Sequence, residues 1–210
     1  MRIIMIRHAE AVCNVLPDDS LLETYDPNCE LTARGKRQAM LLRDRYPKGL
    51  EPVAIYSSPY KRAVDTAQPL RERFRVPLIL DERLGEVRAP ERFDPPITQR
   101  EWDRLLEDRI RYPDRELVLG LEPLTVQMER IADFCTDLIR QYKHRDANLV
   151  LMTHAFCIQL MLLHLLGLGL QTLRSWRVKV SNTAMHIVRV SEDNPCCIEA
   201  LNNRLHLRRI

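Results

Sequence analysis

No apolar run in this chain is long enough to cross a bilayer. The longest, Cys157 to Leu170, is interrupted by Gln159 and His164 and reads as a buried core helix. The first residues lack the basic stretch, apolar stretch and cleavage site of a secretory leader. Dense blocks of Lys and Arg are missing too. Thirty-two basic and 29 acidic residues leave a formal charge of only +3. Neither nucleic acid nor a membrane is an expected partner, and any attraction for acidic groups must be local. The six cysteines, at positions 13, 29, 135, 157, 196 and 197, form no compact framework and no Cys-x-x-Cys. Free thiols in a reducing cytoplasm are the simpler expectation. There is no internal repeat and no low-complexity tract.

What is present has globular proportions. The 210 residues are 45% hydrophobic and 29% charged. They fit one domain, residues 1–210, with a modest insertion. Short apolar runs at 2–6, 53–56, 78–80 and 148–152 predict strands, followed by two late strands at 184–190 and 196–201. Helices are predicted between them. Thr32 is a good N-cap for one running to about Tyr46, and Ser58-Pro59 opens a second, with Ser as cap. Leu124, Met128, Ile131, Cys135, Leu138, Ile139 and Tyr142 recur at three- and four-residue steps, which makes one apolar face. The helix from about 156 to 166 is apolar nearly all round, hence buried. Strands alternating with helices predict an α/β fold, with a mainly parallel central sheet and helices on both faces. Residues 86–121 differ. Pro90, Pro95, Pro96 and Pro113 break them up, and Thr98 to Arg111 is a helix whose mixed charges suit a solvated surface. The stretch is expected to be a helical insertion over the site.

Four strand ends carry chemistry. Arg7-His8-Ala9-Glu10 follows Ile3-Ile4-Met5-Ile6. Arg62 lies just past Ser57-Ser58-Pro59, Glu86 follows Leu84-Gly85, and His154 follows Thr153. In open α/β sheets, ligands gather at this carboxyl end of the strands. Together the groups suit a phosphomonoester, which brings close to two negative charges on its equatorial oxygens. Arg7 and Arg62 can clamp those oxygens with forked donors, and a protonated His154 would add another. His8, as a neutral imidazole, can attack phosphorus, provided its other N–H has an acceptor. Glu86 can protonate the leaving alkoxide and then activate water. The cationic side chains do the electrostatic work, so the scheme needs no metal or other cofactor.

The ordered motifs resemble the histidine phosphatase superfamily, in the branch of phosphoglycerate mutase-like enzymes. They are Arg7 to Glu10 with Asn14, Leu31 to Ala39, Ser57 to Ala67, Leu84 to Glu86, Thr153-His154 and Asn182-Thr183. The resemblance implies a phosphoglycerate mutase-like fold and a phosphatase, with His8 as phospho-accepting nucleophile. It makes Arg7, Arg62 and His154 the phosphate pocket, Glu86 the proton donor, and Asn14 and Asn182 polar contacts near the phosphate. Thr32, Gly35 and Gln38 would keep the fold. The chain departs from the family pattern at Ala155-Phe156, where Gly is usual, and at Val87-Arg88-Ala89-Pro90. It also lacks the Arg-, His-, Tyr- and Gly-rich run of mutases. Arg88, Arg92 and Phe93 are candidates for the entrance. The expected substrate is a small phosphorylated metabolite. Mutase-type phosphotransfer and a protein phosphatase remain as alternatives, and a homodimer is left open.

Overall fold

The computed structural model describes residues 1–191 and 196–208. The expected domain span also takes in 192–195 and 209–210, which lie outside the described residues. Six strands form the main sheet: β1 (Arg2–Arg7), β3 (Ala54–Ser57), β4 (Leu78–Leu80), β6 (Asn148–Thr153), β7 (Met185–Arg189) and β8 (Cys197–Asn203). Their spatial order is β4-β3-β6-β1-β7-β8. The first four are parallel, while at one side β7 pairs antiparallel with β1, and β8 antiparallel with β7. The sheet is thus mainly parallel, as expected.

β1 is the hinge of this arrangement. Its four apolar residues are all fully buried. Side chains alternate along a strand, so Ile3 and Met5 face one way and Ile4 and Ile6 the other. Ile3 and Met5 join a core with α4 (Leu124–Tyr142) and α5 (Ala155–Leu165). Ile4 and Ile6 join a second core with α1 (Ala33–Asp44) and α2 (Lys61–Phe74). A strand covered on both faces needs a continuous apolar run, which is why the alternation of a half-exposed strand is missing there. Among the described residues, no helix is long and apolar enough to cross a membrane.

Thr32 caps α1 as predicted, accepting the Gly35 N–H at 2.9 Å. Gly35 is required by closeness. A Cβ there would lie 1.9 Å from the Glu10 carbonyl oxygen. Gln38 Oε1 accepts the Glu10 N–H at 2.8 Å. Helix α1 therefore lies directly against the strand-end loop that carries Arg7 to Glu10. The start of α2 needs correction. The helix begins at Lys61 with Tyr60 in the cap position, and Ser58 lies outside it, its hydroxyl accepting the Tyr60 N–H.

Residues 86–121 build a small core of their own. Val87, Phe93, Trp102 and Leu121 pack together, joined by Leu22, Tyr25, Ile97, Leu105 and Leu106. Two short strands, β2 (Leu21–Leu22) and β5 (Ile97–Thr98), pair antiparallel and tie this unit to the loop after β1. Helix α3 (Gln99–Arg111) opens with Thr98 and Glu101 satisfying each other's backbone N–H groups. Most of its charges are solvated, as expected. Arg109 is not: it is completely buried.

Candidate active site

A cavity of about 600 Å³ opens at the carboxyl ends of β1, β3 and β6. Arg7, His8, Arg62, Glu86 and His154 all line it. Groups separated by up to 147 positions therefore meet because parallel strands end on the same side of the sheet. The His8 and His154 rings stand 5.1 Å apart, centroid to centroid.

His8 is buried, and its Nδ1 lies 2.7 Å from the Ala9 carbonyl oxygen. A carbonyl only accepts, so Nδ1 carries the proton and the lone pair is on Nε2. Arg62 Nε donates to that nitrogen at 3.3 Å. Burial, together with the positive charges of Arg62 and Arg7, holds His8 well below the ordinary imidazole range. The ring is neutral, with its free nitrogen on the cationic side of the pocket. Ala9 N–H donates to Thr66 Oγ1, which in turn donates to the Arg62 carbonyl oxygen. One turn of α2 thus fixes both the loop that carries His8 and the arginine.

His154 is buried behind His8. Its Nε2 lies 2.8 Å from Ser58 Oγ. Ser58 Oγ also accepts the Tyr60 N–H, and His154 Nδ1 has no partner among the described residues. Burial first, then Arg62 and His8, push this imidazole far down as well, against the protonated form in which it was expected to donate. Arg7 Nη1 donates to the Val180 carbonyl oxygen at 2.9 Å, while Arg7 Nε is buried and unpartnered among the described residues. Arg62 Nη2 donates to the Tyr25 hydroxyl at 3.1 Å. Donors outnumber acceptors around the two histidines, which is what a bound oxyanion requires.

Glu86 stands on the opposite wall. Its Oε2 accepts the Phe156 N–H at 3.3 Å, and its Oε1 accepts from Gln127 Nε2 at 3.1 Å. The departure at Ala155-Phe156 thus keeps its backbone donor and aims it at Glu86. Asn14 lines the cavity and accepts the Ala11 N–H. Asn182 lies behind it, its amide donating to the His8 carbonyl oxygen at 3.0 Å. It holds the His8 backbone. Arg88, Arg92 and Phe93 do not line the cavity, and Phe93 is buried in the small core. Tyr25, Ser58, Thr66 and Gln127 escaped the sequence reading. Ser58 and Thr66 lie inside the quoted Ser57 to Ala67 segment, so a signal existed for both; Tyr25 and Gln127 had none. Among the described residues, no group of three or more His, Cys, Asp or Glu side chains could hold a metal ion.

This geometry agrees with the comparisons. Residues 3–204 match the model of the histidine phosphatase superfamily (branch 1), and the chain belongs to that superfamily. It is a phosphoric monoester hydrolase. Among curated proteins it is similar to the 5''-phosphoribostamycin phosphatase of Niallia circulans, 54% identical over 99% of each chain. It is 26% identical to phosphoserine phosphatase 1 of Hydrogenobacter thermophilus, over 99% of this chain and 94% of that one. The fold matches a mycobacterial glucosyl-3-phosphoglycerate phosphatase with a TM-score of 0.75 and 21% identity, over 97% of this chain and 99% of that one.

Proposed function

We propose that the chain is a metal-independent phosphatase in which His8 takes the phosphoryl group of a small phosphomonoester, within a single domain capped by residues 86–121. The observation that carries the reading is His8 itself. It is a neutral imidazole with its proton committed to Ala9, and its free nitrogen lies among Arg62, Arg7 and His154. Phosphate oxygens compete for the Arg62 N–H and release the Nε2 lone pair. Nε2 attacks phosphorus in line with the ester oxygen, Glu86 protonates that oxygen, and the alcohol leaves. Water then attacks the phosphohistidine, Glu86 takes its proton, and inorganic phosphate departs from a regenerated His8. Arg7, Arg62 and His154 hold the equatorial oxygens throughout, and Asn14 adds a polar contact.

The outer cavity supports a polar, ring-containing alcohol. Tyr25, Trp102 and Phe156 offer flat faces, and Asp18, Asp26 and Asp103 line the mouth with carboxylates. Such walls suit a sugar phosphate bearing ammonium groups. 5''-Phosphoribostamycin, named for the Niallia circulans relative, is the first substrate to test. The cap narrows access, which disfavours a folded phosphoprotein.

The test is phosphate release from 5''-phosphoribostamycin, phosphoserine, 3-phosphoglycerate and a phosphotyrosine peptide, by wild type and His8→Ala. Fastest release from the first, and none from His8→Ala, is expected. An acid quench of labelled substrate should trap an acid-labile, base-stable phosphoenzyme, and a chelator should leave the rate unchanged. An acid-stable adduct contradicts the assignment.

A further inference from the structure

The carboxyl of Glu86 is held from behind by groups that never reach the cavity. Gln127, on α4, is completely buried. Its Nε2 donates to Glu86 Oε1, and its Oε1 accepts from Arg109 Nη2 at 2.8 Å. The amide cannot sit the other way round. A guanidinium only donates, so the amide oxygen must face Arg109 and the amide nitrogen must face Glu86. Arg109 is itself anchored by donating from Nε to the Glu122 carbonyl oxygen at 3.0 Å.

A second arginine holds the backbone of the same segment. Arg130 pairs with both oxygens of Glu122, at 2.7 and 2.8 Å. Its remaining N–H groups go to the carbonyl oxygens of Arg83, Gly85 and Glu86. Arg130 and Glu122 thus satisfy each other. Among the described residues no carboxylate bonds to Arg109, and Glu86 is the acidic group that Gln127 connects to it. An unpaired buried cation is costly, so this connection is one the fold has reason to keep.

We propose that Gln127 is a positioning residue for Glu86, and that Arg109 positions Gln127, so that α3 of the cap takes part in proton transfer through a buried Arg–Gln–Glu line. The inference rests on the reading of Glu86 as acid and base. The N–H on Oε1 fixes the carboxyl's rotation. Without it the carboxyl is free to turn.

The experiment is a double-mutant cycle on 5''-phosphoribostamycin, or on p-nitrophenyl phosphate as a generic substrate, with kcat and KM resolved separately. Gln127→Met should lower kcat roughly 10-fold, part of the 10²–10⁴ that acid–base catalysis supplies. KM should stay within about twofold. In a Glu86→Gln background the same change should cost nothing further. Gln127→Glu is nearly isosteric and keeps the Arg109 contact but brings no amide N–H to Glu86, so it should lower kcat as well. Arg109→Lys should recover part of what Arg109→Met loses. Losses that multiply in the double variant, or a raised KM with an unchanged kcat, overturn the proposal. A Glu86→Gln protein with wild-type kcat would instead overturn the acid–base reading beneath it.

Discussion

Arg62 does with one guanidinium what no other side chain could. Nε reaches His8 Nε2, Nη2 reaches the Tyr25 hydroxyl, and Nη1 lies 3.5 Å from the Asp26 carbonyl oxygen. The planar fork orders the cavity wall and keeps a positive charge beside His8 at once. Lysine keeps the charge and loses the fork. Arg62→Lys is expected to lower kcat/KM by about 10²–10³, the range seen when one transition-state donor is removed. Steady-state kinetics alongside a thermal melt would check it, and a melt shifted by many degrees would point to packing instead of chemistry. Arg62 could be found in the sequence because it follows a strand and opens a helix. Its partner Tyr25 could not, because that loop has no periodicity to place it.

At the scale of elements, the seam between α1 and the loop after β1 is the most exacting contact. The Gly35 backbone lies against the Glu10 carbonyl, with no room for a methyl group. Gly35→Ala must push helix and loop apart. Overpacking of this kind costs about 1–3 kcal/mol, or roughly 2–12 °C in Tm for a chain this size. Activity should fall with it, because the same loop carries His8. A melt and a rate on purified protein would decide, and an unchanged Tm would refute the claim. Among the described residues, the six strands of the main sheet and the five α-helices were legible from continuous apolar runs, from helical steps and from caps. Strands β2 and β5 were not, since two residues each carry no period at all. Ser58 was misread as a cap because the Ser-Pro pair suits two roles, and only the position of His154, 96 residues away, decides between them. Arg109 was taken as solvated because its neighbours in sequence are. Its burial depends on Gln127 and Glu122, which no local pattern reveals.

At the scale of the molecule, the buried histidines set an acid limit. Burial pushes His186 and His206 down to about 4, and it lowers His8 and His154 as well. An unfolded chain takes up these protons near 6.5. Between roughly 6.5 and 4 the unfolded state therefore binds more protons than the folded one, and stability falls as pH falls. Thermal melts at pH 7.0, 5.5 and 4.5 should show Tm dropping across that window, less steeply in His186→Leu. A flat Tm would contradict the assignment. The sheet order has a kinetic consequence. β1 lies between β6 and β7, with Arg2 opposite both Asn148 and Arg189. β1 therefore waits for partners that lie about 146 and more positions further along the chain. Non-local pairing of this kind is slow to form. Until it forms, His8 has no pocket around it, so His8, Arg62 and His154 come together all at once, with the closing of the sheet.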